Sequence, residues 1–182
     1  MKTTKVLFYC TQAKPYLYKD VDNKFKLLDK PVLNSLNGKV VAECEVETEE
    51  IRLNEYRDEY DEWDYEYDTP TLSNDELLDK SCLNNDELEN YITNKHAYAL
   101  HIKNLKIFDN PKLLRTYCVY YLNGIMPMVQ RIQKAPQNMM RVYDYKGNPY
   151  ILISIRSPWL CKIFNGEKEI EVRTKVMKEM LQ

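Results

Sequence analysis

Ile151–Thr174, ILISIRSPWLCKIFNGEKEIEVRT, decides the fold, because it reads as strand, helix, strand with distinct chemistry at each joint. Ile151–Ile155 is a short β-branched run suited to a buried strand. Ser157-Pro158 is a helix start: a serine hydroxyl can accept from a free backbone N–H, and proline fits the first helical position. Leu160, Ile163 and Phe164 then share one helical face. Asn165-Gly166 closes the helix, since glycine tolerates the left-handed conformation of a C-terminal cap. Ile170 and Val172 alternate with Glu169, Glu171 and Arg173, which predicts a strand with one apolar and one charged face.

Working outward, Gly147-Asn148-Pro149 is a turn, and Ala135-Pro-Gln-Asn138 leads into a strand-like run at Met139–Tyr145. Pro111–Leu122 reads as helical and Gly124–Pro127 as a break. Ala97–Phe108 alternates as a long strand that Asp109-Asn-Pro111 should end. Two near-repeats, Asn74-Asp-Glu-Leu77 and Asn85-Asp-Glu-Leu88, each set an asparagine cap and acids at a helix N-terminus. The second helix should reach about Thr93, with Leu88, Tyr91 and Ile92 inward. Nearer the N-terminus, Lys5–Thr11 is a strand, and Asp20–Asn34 reads as loop with room for a short helix. Asn37-Gly38 is a turn that launches Lys39–Glu47, where Val40, Ala42, Cys44 and Val46 face away from Glu43, Glu45 and Glu47.

A chain of 182 residues suits one domain with a substantial core. Its net charge of −2 conceals an asymmetry: Glu43–Asp68 holds thirteen Asp/Glu against two Arg, a net −11, so the remainder carries +9. Arg131–Gln182 alone has ten Lys/Arg against five Asp/Glu. The pattern is that of a basic domain carrying a concentrated acidic segment. No apolar run is long enough to span a membrane, and MKTTKVLFYCTQAK has no secretory cleavage pattern, so a cytoplasmic protein of the host cell is expected. Cys10, Cys44, Cys82, Cys118 and Cys161 are scattered and read as reduced core thiols. His96 and His101 lack neighbours at metal-ligand spacing, so neither a metal nor a cofactor is expected. With no G-x-S-x-G, no glycine-rich phosphate loop and no Cys/His pair, no catalytic residue is assigned and the chain is read as not an enzyme.

Ser154-Ile155-Arg156, a helix, then Gly166-x-Lys168-x-x-Glu171-x-Arg173 resembles the opening strand–helix–strand of ASCH domains, small barrels of the PUA-like group. In phage and mobile-element members that unit comes first, and runs like Val6–Thr11, Gly38–Glu43, Ser81–Leu83 with Glu87–Tyr91, Ala97–Pro111 and Ala135-Pro-Gln137 follow it. All occur here in that order, over about two-thirds of the chain, with only the opening unit moved to the end. The resemblance therefore implies an α+β fold. Its specific form is a small PUA/ASCH-like β-barrel flanked by helices, one domain over 1–182, permuted at 150–176, with an acidic aromatic insertion at 47–72. Permutation is cheap where chain ends meet, so Thr4–Lys5 and Thr174–Lys175 should be neighbours. Closure within one chain and exchange of the C-terminal unit between two chains both satisfy the order, and the second makes a homodimer.

The same resemblance points to Arg156, Lys168, Glu171 and Arg173 as a nucleic-acid- or ligand-binding cleft. Some relatives hydrolyse acetylated cytidine with a lysine and a threonine of this motif. Lys168 matches the lysine, but Glu171 stands in the threonine's place and removes the hydroxyl, so amidohydrolase activity is not expected. The alternative is that Glu171 and Arg173 form an ion pair on the barrel rim. Independently of the family, Lys134, Arg141, Lys146, Arg156, Lys162, Lys175 and Lys178 could line a phosphate-tracking groove, with Tyr143, Tyr145 and Trp159 available to stack.

Glu49–Asp68, EEIRLNEYRDEYDEWDYEYD, places five aromatics in twelve residues among its acids. It is either a solvated insertion or a binding surface whose carboxylates imitate a phosphate backbone. Its candidate residues are Tyr56, Asp58, Glu59, Tyr60, Asp61 and Glu62, then Trp63, Asp64, Tyr65, Glu66, Tyr67 and Asp68. Two functions are expected. One is a non-enzymatic phage or mobile-element inhibitor of a nucleic-acid-handling host protein, in its specific form an anti-CRISPR protein acting on a guide-loaded type II effector nuclease. The other is an RNA- or nucleotide-binding ASCH module.

Overall fold

Two strands buried on both faces form the centre of the fold: β1 (Thr3–Cys10) and, far along the chain, its parallel partner in the C-terminal unit. The computed structural model describes Met1–Gln182, the side chain of Asn123 apart. After β1 come a small hairpin, β2 (Tyr16–Lys19) and β3 (Phe25–Leu28), then the long β4 (Val40–Arg57) and β5 (Trp63–Asp68). Helices α1 (Asn74–Ser81) and α2 (Asn85–Ile92) lead to β6 (Ala97–Lys112) and a second hairpin, β7 (Cys118–Asn123) and β8 (Met126–Arg131). β9 (Met139–Tyr143), β10 (Pro149–Ile155), α3 (Ser157–Phe164) and β11 (Ile170–Arg173) complete the chain, with a short 3-10 turn at Lys178–Met180.

The fold is α+β, built on a mixed sheet in the order β11-β6-β4-β1-β10-β9-β7-β8, with β5 pairing the far end of β4. β1 and β10 run parallel, Val6 opposite Ile151 and Tyr9 opposite Ser154. Val6, Phe8 and Cys10 pack with Ile151, Ile153 and Ile155 beneath Leu160, Ile163 and Phe164 of α3 and Phe25 of the small hairpin. On the reverse face, Leu7, Tyr9 and Leu152 pack against Tyr117 and Ile132. Burial on both sides is why these two strands read as unbroken apolar runs. A third cluster joins Ile51 and Tyr67 to Leu77 of α1, Leu88 and Ile92 of α2, and Ile170 and Val172 of β11.

The expected barrel is not closed by a strand ladder: the sheet begins at β11 and ends at β8. Arg173, on the last residue of β11, bridges the gap instead, donating to the Asn138 side chain at 2.9 Å and the Ser154 carbonyl at 2.8 Å. Asn138 in turn donates to the Lys175 carbonyl at 3.1 Å. Thr174–Lys175 thus leaves the sheet beside Asn138, not beside Thr4–Lys5, whose ladder partners are Val46 and Glu45. The chain reaches β1 only afterwards, where Met180 joins the core that contains Val6.

Several local expectations also change. Asp20–Asn34 contributes β3 of the small hairpin, paired with β2 from Tyr16↔Leu28 to Lys19↔Phe25, not a helix. Pro111–Leu122 is the end of β6, a 3-10 turn at Leu114–Thr116 and β7. Gly124-Ile125 makes the two-residue turn of a β7–β8 hairpin, with Gly124 at positive φ in its first central position, where a tight hairpin favours glycine. The acidic segment is not a loop: β4 runs without a break from the core into it and pairs there with β5. Ser157 does not cap α3: Arg156 holds the cap position, and the Ser157 hydroxyl donates to the Pro15 carbonyl. The caps of α1 and α2 are Ser73 and Asn84, each in a capping box with Glu76 or Glu87. Among the described residues, no helix is long and apolar enough to cross a membrane.

Candidate ligand cleft and acidic ribbon

The C-terminal unit places Arg156, Lys168, Glu171 and Arg173 in the wall of one cleft of about 640 Å³. Arg156 projects from the start of α3 and is exposed; the other three lie beneath it. Trp159, one turn into α3, contributes a ring face, and α2 supplies Glu87, Asn90 and Tyr91 from the opposite side. Thr11 from the end of β1, Gln137 and Ser154 complete the polar lining.

The charged face expected of β11 forms the floor of the cleft. Lys168 is only 3% exposed. Its amine donates to the Ser81 carbonyl at 2.7 Å, lies 3.5 Å from Glu171 Oε2 and sits 4.9 Å from the Trp159 ring centre. Burial pushes this amine below its usual range, against the opposing attraction of Glu171. Glu171 Oε1 is 2.9 Å from Arg173 Nε, a contact off the N–H axis, so it is an ion pair without an aligned hydrogen bond. Arg173 spends its terminal nitrogens on Asn138 and Ser154. Lys168, Glu171 and Arg173 are therefore a buried ion chain that ties β11 to α1 and β10. Of the four predicted residues, Arg156 is the cation left for a ligand.

The lining residues that sequence reading did not assign to this site, Thr11, Gln137 and Asn90, come from three distant segments with no shared spacing. The Thr11 hydroxyl oxygen is buried with no hydrogen-bond partner among the described residues.

The acidic segment is a two-stranded ribbon, with Arg52 opposite Asp68 and Arg57 opposite Trp63. Its foot is fixed: Tyr67 is buried in the α1–α2 cluster, and the Tyr65 hydroxyl bonds Glu89 of α2. Asp58 is consumed by its own turn, its Oδ1 accepting from Tyr60 N–H and Glu62 N–H, both at 2.9 Å. Asp61 pairs with Arg57 at 2.7 Å, and the Arg57 guanidinium lies 5.0 Å from the Trp63 ring centre. Tyr56 donates to Asp64 at 3.2 Å. Glu59, Tyr60, Glu62, Trp63 and Glu66 remain exposed, Tyr60 at 76% and Trp63 at 69%. Asp68 lies at the foot, with one oxygen buried and unpaired among the described residues. Of the twelve predicted residues, then, Tyr67 faces inward and Asp58 holds the tip together, while the exposed group forms a free acidic and aromatic end.

The predicted basic groove does not assemble. Lys146 sits in the turn before β10 and Arg156 follows its other end, so the seven-residue strand separates them. Arg141 is paired with Glu179. Lys162 and Lys146 lie over the rings of Trp159 and Tyr145. Among the described residues, no group of three or more His, Cys, Asp or Glu gathers at metal-binding range. Compared with known proteins, the chain matches no family model, no curated protein and no solved structure.

Proposed function

We propose that the chain is an ASCH-like binding module, a permuted relative of the PUA-like barrels, whose cleft takes a nucleotide or one base of a single-stranded RNA. The observation that carries this reading is the convergence of Arg156, Lys168, Glu171 and Arg173 with Trp159 and Tyr91 on a cleft of about 640 Å³. A cavity with few convergent polar groups and a perturbed lysine is the ordinary setting of a ligand site. Arg156 at the mouth would meet a phosphate, the Trp159 and Tyr91 rings would flank a base, and the ion chain would hold the floor rigid. The protein acts by binding: Glu171 occupies the position where a hydroxyl would be needed for amide hydrolysis, and it is engaged by both cations.

The test is titration of short single-stranded RNA and of mononucleotides, followed by tryptophan fluorescence. Affinity should fall as salt rises, and Arg156→Ala should weaken binding by about tenfold or more, the worth of a charged hydrogen bond. RNA and mononucleotides that both fail to bind at low salt would overturn the reading.

A second function has its own support. We infer that the β4–β5 ribbon lets the protein occupy a basic channel of a nucleic-acid-handling host protein, in the specific form of an anti-CRISPR inhibitor of a type II effector nuclease in the host cytoplasm. What favours it is that Glu59, Tyr60 and Glu62 are displayed on the turn, and Trp63 and Glu66 on β5, of one antiparallel strand pair. Acids held along the tip of a hairpin can enter a channel built for phosphates, and exposed aromatics supply contact area. Target-DNA cleavage by the guide-loaded nuclease should be inhibited by the parent and restored with Glu59, Glu62, Asp64 and Glu66 changed to amides. Equal inhibition by both would remove the mimicry.

A further inference from the structure

The β7–β8 hairpin presents an apolar surface that neither the cleft nor the ribbon uses. β7 joins the sheet only at its first residue, Cys118 opposite Tyr143, so the rest of the hairpin extends away as an arm. Every residue of β8 is exposed, and at the tip Ile125 is 99% exposed. No Asp, Glu, Lys, Arg or His occurs between Thr116 and Arg131. Both faces are apolar: Tyr121, Met126 and Met128 on one, Tyr120, Leu122 and Val129 on the other. A two-stranded hairpin alone is marginal in water and gains from further strands.

The phase of the ladder shows which groups the open edge offers. Ile132 N–H donates to the Tyr117 carbonyl at 3.0 Å, and the pairing continues as Cys118↔Arg131, Val119↔Gln130 and Tyr120↔Val129. Bonded and non-bonded pairs alternate in an antiparallel ladder. Val129 and Arg131 therefore turn their N–H and C=O groups outward, as does the Pro127 carbonyl.

We propose that this edge pairs with a second copy of the chain, β8 against β8, about a two-fold axis at Val129. Val129 exchanges both backbone bonds with the partner's Val129. Arg131 N–H donates to the partner's Pro127 carbonyl, and the reverse bond follows by symmetry. Pro127 has no N–H to give, so the register centred on Val129 uses it only as an acceptor. The product is a four-stranded sheet through the two arms, β7-β8-β8-β7. Charge selects this occupant. An edge without charged side chains from Tyr117 to Gln130 meets its own copy with no repulsion, whereas the ribbon's free end would bring Glu59, Glu62 and Glu66 against themselves.

Sedimentation of the full chain from low to high micromolar concentration tests this. The parent should dimerise across that range. Val129→Pro removes an outward donor without touching a β7–β8 bond, and Val129→Asp sets two carboxylates together at the axis. Each should raise the dimer dissociation constant by about tenfold or more, with unchanged circular dichroism confirming the fold. Ile125→Asp, at the tip and off the axis, should leave the dimer intact. A parent that stays monomeric throughout, or a dimer that survives both Val129 variants, overturns the proposal. So does a dimer lost in Ile125→Asp but retained in both Val129 variants.

Discussion

The β4–β5 ribbon and the β7–β8 arm are both antiparallel hairpins leaving one sheet, yet they meet water in opposite ways. The ribbon is anchored at its foot by Ile51 and Tyr67 and again at Tyr65 through Glu89, and its free end is acidic. The arm is anchored at Tyr117 and Ile132, with Tyr120 against Tyr143 at 4.4 Å between ring centres, and its free end is apolar. An exposed strand edge is a template for pairing, and inserted charge is one of the ways proteins protect it. The ribbon has that protection, which lets it display Tyr60 and Trp63 without a copy of itself as the natural partner. The arm has only Pro127. The same backbone motif can thus repel its own kind or invite it, and side-chain charge decides which.

The largest expected effect separates the anchored foot from the free tip. Tyr67→Ala removes a buried ring from the cluster under the ribbon and should cost about 3–5 kcal/mol. Leu122→Ala, on the arm, removes a side chain that is 76% exposed and should stay within about 0.5 kcal/mol of the parent. Urea denaturation at a concentration where the chain is monomeric measures both. A large loss in Leu122→Ala under those conditions would mean that the arm is covered within its own chain, and the contrast would fail.

How much of this was legible in the sequence depended on whether the deciding signal was local. The β10–α3–β11 unit was readable because its apolar runs, proline and Asn-Gly pair lie within one stretch. Helices α1 and α2 were readable from their acidic first turns, although the caps are Ser73 and Asn84, one residue before Asn74 and Asn85. β6 was expected to stop at Pro111 but continues to Lys112. β11 covers only Tyr98–His101, so the Pro111 half of β6 has an open side where a proline is tolerated. The arm was not legible as strands, because Leu114, Tyr117 and Tyr121 imitate a helical stripe, whereas Gly124 in the two-residue turn favours a hairpin. In the cleft, the four motif residues were found together because three of them share one short strand region. Their burial was not legible, since it depends on Ser81, Asn138 and Ser154, which only the fold brings near.

A smaller effect should appear on acidification, at the base of the ribbon. Glu49 is buried there, its Oε2 2.9 Å from the Thr71 hydroxyl and 3.1 Å from His101 Nε2. Burial alone would raise its pKa, but the Thr69 and Thr71 hydroxyls and His101 outweigh it and hold the carboxyl below its ordinary value. A carboxylate depressed in the folded state stabilises fully above the unfolded value of about 4.3, and that contribution is lost as pH falls through the folded value. Hydrogen exchange should therefore show β5 losing protection in acid, and Glu49→Gln should flatten that dependence. At neutral pH the substitution should cost about 1–3 kcal/mol, the range for a hydrogen-bonded charge. The arm has no such group between Tyr117 and Gln130 and should show no matching acid step. Parallel loss of protection in both hairpins would show that Glu49 does not govern the ribbon by itself.

The smallest effect belongs to the ribbon's tip, and it asks whether the acids serve the fold. Glu59 and Glu62 are exposed, and their carboxylates hold no hydrogen bond or ion pair among the described residues. The turn between β4 and β5 is made by Asp58, through its bonds to Tyr60 and Glu62 N–H, and by Arg57 with Asp61. Replacing Glu59 and Glu62 by glutamine keeps side-chain length and leaves those bonds in place, so stability should move by no more than about 0.5 kcal/mol. Its direction should be upward, because the change relieves like-charge repulsion, and added salt should reduce the difference. Asp58→Ala makes the contrasting test, since it removes the acceptor of two backbone N–H groups and should cost about 1 kcal/mol. Thermal denaturation of both variants at low and high salt gives the answer. If the glutamine variant proved the less stable of the two, the acids would be holding the turn, and their exposure would need no partner to explain it.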